Sequence, residues 1–279
     1  MKAALKMDSS DSYAMRKLWL LPHQTSPAAC PPSLTRHSRV LRCAAVSAYN
    51  LNVSGVTHNI NLIRQRIRAA AERAGRLPED IALVVVSKTV EPERIEEALS
   101  AGQTLFGESK IQEARAKIPL VSGRAHWHMM GHLQTNKARD AVALFEVIHS
   151  VDSVKLAVEL SKWAERAGKT QAILLEVNVS GEASKFGLKP EDLKSTVAEI
   201  NQLPRLETQG LMTIAPFAEE AEKARPCFRR LRELRDALGL RELSMGMTHD
   251  FEVAIEEGAT LVRIGTAIFG ERRRHEPAE

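Results

Sequence analysis

Tyrosine is missing from residues 53–279: the chain's two, Tyr13 and Tyr49, both stand near its N-terminus. Proton transfer that a phenol often carries would fall to another side chain there. Cysteine is nearly as scarce, and of Cys30, Cys43 and Cys227 only the last lies beyond residue 52. That leaves no disulfide framework for a domain built from 53–279 and fits a reducing, cytoplasmic setting. Cys227 itself, next to Pro226, reads as a packed or surface thiol. Aromatic residues make up 4% of the chain, and no apolar run approaches the roughly 18 residues that a membrane-crossing helix needs. An integral helical membrane protein is excluded. Acidic residues are absent from Ser12 to Ala71, and this gap accounts for the formal charge of +4. Residues 1–52 hold seven Lys/Arg and two Asp, leaving 32 basic against 33 acidic residues after them. The body carries no basic excess, so nothing in its charge points to nucleic acid.

What is present is an ordinary soluble composition, 44% hydrophobic and 27% charged over 279 residues, enough for one large domain with a substantial core. Residues 1–52 read as a disordered or non-native extension. They hold Pro22, Pro27, Pro31 and Pro32 and show no sustained periodicity. Arg16, Lys17, Arg36, Arg39 and Arg42 give them the look of an organellar transit peptide; a start of translation nearer residue 50 competes with that reading. A secretory signal fits poorly, because the apolar stretch Leu18 to Leu21 stops at Pro22.

The body, 53–279, opens with a helix whose apolar side is Ile60, Ile63, Ile67, Ala70 and Ala74. Eight strand-like runs follow: Ile81 to Ser87, Thr104 to Gly107, His126 to Met130, Glu146 to Val151, Ala172 to Val179, Glu207 to Ile214, Glu242 to Met247 and Thr260 to Phe269. Helix-like segments separate them, at Pro92 to Ala101, Ser109 to Ile118, Thr135 to Leu144, Ser153 to Ala167, Pro190 to Leu203, Glu219 to Leu238 and Asp250 to Glu257. Runs such as Ile81 to Val86 are apolar at consecutive positions, as strands buried on both faces of a parallel sheet require. The pattern predicts an α/β fold, a single (β/α)8 TIM barrel with a leading N-terminal helix. An open doubly wound sheet is the alternative, but neither G-x-G-x-x-G after the first strand nor a phosphate-binding G-x-x-x-x-G-K-[ST] loop occurs.

Barrel chemistry sits at the C-terminal ends of the strands. The first ends in Ser87-Lys88-Thr89. A strand-end lysine is commonly just solvated, yet one leaving so apolar a run is expected to be partly buried, with a lowered pKa and an amine available to an aldehyde. The last two strands end in Ser244-Met245-Gly246-Met247-Thr248 and Arg263-Ile264-Gly265-Thr266. Their small residues and hydroxyls suit an anion, and loops after strands seven and eight are the usual phosphate site of this fold. Arg263 is placed to reach a ring nitrogen or a carboxylate. His126 and His128 share a strand face and could hold a metal, or be hydrogen-bonded rings. Asn178 ends strand five, with Ser184-Lys185-Phe186-Gly187 in the loop beyond.

Taken jointly, Val86-Ser87-Lys88-Thr89, Phe106-Gly107-Glu108, His128 with Gly131, Leu133 to Lys137, Gly210-Leu211-Met212, Ser244 to Met247 with Asp250, and Arg263 to Gly270 resemble the pyridoxal-phosphate homeostasis protein family. This family, also called the proline synthase co-transcribed homologue, is similar to the N-terminal barrel of alanine racemase. The resemblance covers the body. It implies pyridoxal 5'-phosphate as cofactor, Lys88 as the Schiff-base lysine, Ser244, Gly246, Gly265 and Thr266 around the phosphate, and Arg263 near the pyridine nitrogen. It implies a protein that buffers or supplies the cofactor without a dedicated reaction, with enzymes that use that cofactor as candidate clients. Two departures stand out. Ser109-Lys110 replace the family's usual Asn-Tyr, weakening contacts along the ring, and Thr248-His249 replace a Ser-led pair.

An amino-acid racemase on the same barrel is the competing enzyme reading. It needs a second acid/base across the ring from Lys88, in alanine racemase a tyrosine from an added domain; neither the body nor the few residues after strand eight supply one. A metal-dependent hydrolase using His126 and His128 is the third reading.

Because residues 1–52 lack periodicity and carry the basic excess alone, a chain shortened by residues 1–50 is expected to keep its cofactor binding and melting temperature. Calorimetry and an absorbance titration of the two proteins check this; a large loss of either would move the domain boundary.

Overall fold

Five apolar residues in a row, Ala82–Val86, form the first strand, β1, with both faces covered. The computed structural model describes residues 55–182 and 185–270, so the expectations for residues 1–52 and for Ser184 lie outside the described residues. Helix α1 (Gly55–Arg73) precedes β1. Then come α2 (Pro92–Ser100), β2 (Leu105–Glu108), α3 (Ile111–Lys117), β3 (His126–Met129), α4 (Ala138–Leu144) and β4 (Val147–Val151). The second half runs α5 (Val154–Arg166), β5 (Gln171–Glu176), α6 (Leu193–Ile200), β6 (Leu206–Met212), α7 (Arg225–Leu238) and β7 (Glu242–Ser244). It closes with α8 (Phe251–Glu256), β8 (Leu261–Ile264) and the one-turn α9 (Thr266–Phe269).

The eight strands pair in sequence order, all parallel, and β8 returns to β1 with Ala82 opposite Leu261 and Val85 opposite Ile264. This is the (β/α)8 barrel. Its interior is packed: Val84, Leu174, Met212 and Leu261 form their own cluster with Ala82, Leu105, Met130 and Val147 around it. A larger core lies between the strands and the helices. Successive strand residues thus face two different apolar layers, which is why the runs are continuous in sequence rather than alternating.

Helix α1 buries Val56, Ile60, Ile63, Ile67, Ala70 and Ala71, a 3–4 spacing that keeps one stripe inward. It packs against α2, α8 and α9, which flank the β8–β1 seam. Arg64 donates to the carbonyls of Ala101 and Gly102, just past the end of α2. Arg76 donates to those of Ile255 and Ala259 at the end of α8. These bonds tie residues in and just after α1 to the carbonyl ends of both helices. No helix among the described residues is long and apolar enough to cross a membrane.

Several elements differ from the sequence expectation; helix α7, for one, begins at Arg225 rather than Glu219, behind the short turn Ala221–Ala224. Strand eight stops at Ile264, and the run expected to continue it to Phe269 becomes α9 instead, with Gly265 as its N-cap. A short buried apolar run looks the same in either state. Strand seven ends at Ser244 rather than Met247, because Gly246 turns the chain with φ +90° under α8. Helix α6 begins at Leu193 rather than Pro190, since Pro190 to Asp192 form a turn ahead of it.

Gly210 in β6 lies opposite Glu242 of β7, and a Cβ built on it would stand 2.0 Å from that residue's carbonyl oxygen. Backbone cannot yield as a flexible side chain does. Gly210→Ala is therefore expected to cost at least about 1–3 kcal/mol, read as a lower urea midpoint with unchanged slope; a midpoint equal to wild type would show that the β6–β7 pair can spread.

Candidate functional site

Ser87 to Val90 make a tight turn off β1, closed by the Val90 amide donating to the Ser87 carbonyl at 3.0 Å. Lys88 sits in it, half-buried. The next residue, Thr89, holds φ at 60°, a conformation unfavourable for a β-branched side chain, at a typical cost of about 1–3 kcal/mol. Outside bonds hold the turn: the Thr89 amide donates to Glu113, and the Ser87 carbonyl accepts from Lys117 at 2.7 Å. Beneath it the Ser87 hydroxyl donates to Glu108 at 2.7 Å. Burial pushes the Glu108 carboxyl up, and the Lys117 ammonium 2.9 Å away pulls it back.

The β7 and β8 ends lie beside this turn, since Val85 is opposite Ile264 and the Arg263 amide donates to the Gly246 carbonyl. Gly265 approaches β1 so closely that a Cβ on it would meet the Val86 carbonyl oxygen at 3.0 Å. Thr266, exposed, opens α9, whose first amides have no acceptor within the helix. The Met247 amide is taken by Asp250. Gly246, Gly265 and Thr266 therefore meet at the same mouth as Lys88. Ser244 is placed differently: it is fully buried and its hydroxyl is committed to side chains inside the barrel.

Those side chains form a chain of hydrogen bonds across the barrel. Arg263 donates from Nη1 to Ser244 Oγ at 2.6 Å and from Nη2 to the Thr213 carbonyl at 2.9 Å. Ser244 Oγ lies 2.9 Å from His149 Nδ1, and His149 Nε2 lies 2.8 Å from His128 Nδ1. Burial lowers His128 to about 3 and His149 well below its ordinary value, so both rings are neutral at physiological pH. The assignment in which the Ser244 hydroxyl and the His149 ring each donate runs from Arg263 to Ser244 to His149 to His128. Burial lowers the Arg263 guanidinium to about 10, which leaves it a cation. Among the described residues its bonded partners are neutral oxygens, and it has spare N–H donors for an acceptor placed at the mouth. A lysine amine, first-turn amides with a threonine hydroxyl, and a buried cation without a bonded carboxylate suit an aldehyde, a phosphate and a ring nitrogen respectively. This donor set fits pyridoxal phosphate.

Residues not singled out from sequence complete the site: Glu113, Lys117, His149, Glu176 and Thr213. His149 and Glu176 are polar residues inside otherwise apolar strands, and that interruption was the available signal. Glu176, at the end of β5, is 7% exposed and held at about 7, first by burial and then by Asp152, against the pull of Arg263.

Other sequence candidates do not join the site as a metal centre. His126 pairs with Glu146 and His128 with His149, and no cluster able to hold a metal occurs among the described residues. Burial raises the half-buried Cys227 thiol, which disfavours the thiolate. Asn178 closes its loop by donating to the carbonyls of Glu182 and Lys185, and Lys185 pairs with Glu182. Phe186 stacks on His132 at 3.8 Å, linking the loops after β5 and β3. In the departing pair, Ser109 is half-buried and Lys110 is the exposed N-cap of α3.

Residues 52–273 match the family model for the N-terminal domain of alanine racemase. The chain is 46% identical over 221 residues to the pyridoxal phosphate homeostasis protein of Aquifex aeolicus, covering 77% of this chain and 97% of that one. It is 44% identical to the protein of the same name from Pseudomonas aeruginosa, covering 81% and 100%. Among solved structures it resembles PipY of Synechococcus elongatus with PLP bound, at 37% identity and a TM-score of 0.66, covering 75% of this chain and all of that one. Alanine racemase of Clostridium difficile, at 16% identity and a TM-score of 0.61 over 81% of this chain and 58% of that one, shares the fold.

The raised Glu176 carboxyl makes stability depend on pH. The folded state holds its proton up to about 7 while the unfolded chain releases it near 4.5, so its contribution falls as pH rises through that window. Relative to Glu176→Gln, the wild-type protein is expected to lose stability between about pH 4.5 and 7, on the order of 3 kcal/mol at most. Urea unfolding of both proteins at several pH values measures the gap; parallel curves would show Glu176 ionising as if solvated.

Proposed function

The chain belongs to the pyridoxal phosphate homeostasis protein family, and from that premise we propose that it binds pyridoxal 5'-phosphate at the barrel mouth through Lys88. The observation that carries the reading is the convergence of Lys88, the Gly265-Thr266 turn and Arg263 at the β8–β1 seam. When bound, the cofactor would supply an aldehyde, the group with which a lysine amine such as that of Lys88 condenses, with loss of water.

Each group of residues has a separate task. The amides opening α9, the Thr266 hydroxyl and the closely approaching Gly246 and Gly265 hold the phosphate. Ser244 acts from below, by fixing the Arg263 guanidinium rather than by touching the phosphate. Arg263 offers only donors, so a ring nitrogen facing it stays an unprotonated acceptor, which weakens the ring as a sink for carbanion charge. That suits a protein that keeps the cofactor available and has no committed reaction of its own; the relatives are named for pyridoxal phosphate homeostasis. The racemase reading gains no support, because residues 53–279 contain no tyrosine to face Lys88.

The finer reading is delivery of the cofactor to enzymes that use it. It is supported by Phe186, Ile214, Phe217 and Met247, large apolar side chains left exposed on the loops after β5, β6 and β7, of the kind that mark a protein contact. Residues 53–279 suffice for cofactor binding on this account.

Borohydride reduction of the protein with pyridoxal phosphate, followed by peptide mass mapping, is the direct test. The reduced adduct is expected on Lys88, and Lys88→Ala should abolish it. A label on another lysine, or none, would sink the assignment.

A further inference from the structure

We propose that Glu113, Lys117 and Glu108 form a clamp that sets the backbone turn carrying Lys88, and that they act as positioning residues for its bond to the aldehyde. The inference rests on the reading of Lys88 given above and concerns side chains that do not line the phosphate or ring contacts.

Lys117 is 7% exposed, and all three of its N–H donors are used, by the Ser87 carbonyl, Glu108 Oε1 and Glu113 Oε1. The same Glu113 oxygen accepts the Thr89 amide. Glu108 Oε1 also takes the Ser87 hydroxyl. Both neighbours of Lys88 are thus bonded to one three-charge cluster, Ser87 through its carbonyl and hydroxyl and Thr89 through its amide. Glu108 comes from the end of β2, while Glu113 and Lys117 are one turn apart on α3. The cluster therefore ties the turn to both the neighbouring strand and the helix beyond it.

A buried ion pair alone is poor evidence of a role, since an apolar replacement often does as well. Here the acceptors and donors include main-chain atoms of a turn whose Thr89 has a positive φ. An apolar replacement would fill the space but could not hold those atoms. Without the clamp the turn is free to relax Thr89 toward negative φ, which rotates the peptide following Lys88 and redirects its side chain. A lysine displaced by about 1 Å loses much of the advantage of being held near its reaction partner. The phosphate contacts and Arg263, on β7, β8 and α9, would be left as they are.

Two ligands separate these effects: pyridoxal 5'-phosphate, and pyridoxine 5'-phosphate, which carries an alcohol in place of the aldehyde and cannot bond Lys88. Glu113 is the residue to change, being partly exposed on α3, and apo melting temperature is measured for each variant. Glu113→Ala is expected to weaken pyridoxal phosphate and slow its absorbance change by about tenfold or more. It should leave pyridoxine phosphate affinity and melting temperature close to wild type. Glu113→Gln, which keeps an oxygen for the Thr89 amide, should recover most of the loss. Equal weakening of both ligands, wild-type behaviour of Glu113→Ala, or no recovery in Glu113→Gln would each overturn the clamp. Labelling of Lys88 in the wild-type protein is the control that keeps the two ideas apart. If it fails, the assignment of Lys88 falls and the clamp with it; if it succeeds, those outcomes bear on the clamp alone.

Discussion

The mouth of this barrel depends on the pairing of β8 with β1. Four residue pairs, from Ala82–Leu261 to Val85–Ile264, close the sheet and place the Lys88 turn beside the turns that end β7 and β8. In an open sheet with the same strands, those segments would be at opposite edges. Helix α1 supports the seam from outside: it packs on the helices flanking it, and Arg64 within it and Arg76 just after it bond the carbonyls at the ends of two of them. The leading helix therefore supports the mouth from the outside of the barrel.

Two buried polar systems serve the mouth, and they solve the cost of burial in different ways. Around Lys117 charge is met by charge, with one ammonium between two carboxylates. Along Arg263 charge is met by neutral dipoles, Ser244 and the Thr213 carbonyl, with two neutral histidines behind. The first arrangement leaves no donor on Lys117 unused. The second leaves donors on Arg263 that a ligand can take, at the expense of burying a cation without a bonded counterion. Asp250 and Glu176 are the carboxyls whose charge acts on that cation, and Glu176, held at about 7, ionises as pH rises through that value.

The strand-end residues were legible because position along a barrel strand carries chemical meaning. Lys88, Gly246, Arg263, Gly265 and Thr266 could be picked out since each lies at the C-terminal end of a recognisable run, and such ends share one face. Ser244 shows the limit of that rule. Its place at the end of β7 suggests a phosphate donor, but its hydroxyl lies one layer deeper and bonds Arg263 and His149. The parity of a strand says which face a residue takes, while its depth depends on where the strand stops. That stop is set by Gly246 under α8, a packing contact between segments that sequence alone does not bring together.

By itself the sequence determined the eight-strand alternation, the barrel, the family resemblance and the placing of an amine, a Gly-Thr turn and a cation at strand ends. These follow from local periodicity and turn chemistry, which act over a few residues. The partners were decided by tertiary structure. His128 and His149 stand 21 residues apart, His149 and Ser244 95, and the two charges bonded to Lys117 come from both a strand end and its own helix. Hydrogen bonds require atoms within about 3 Å, and only the closed barrel sets residues so distant in the chain at that separation.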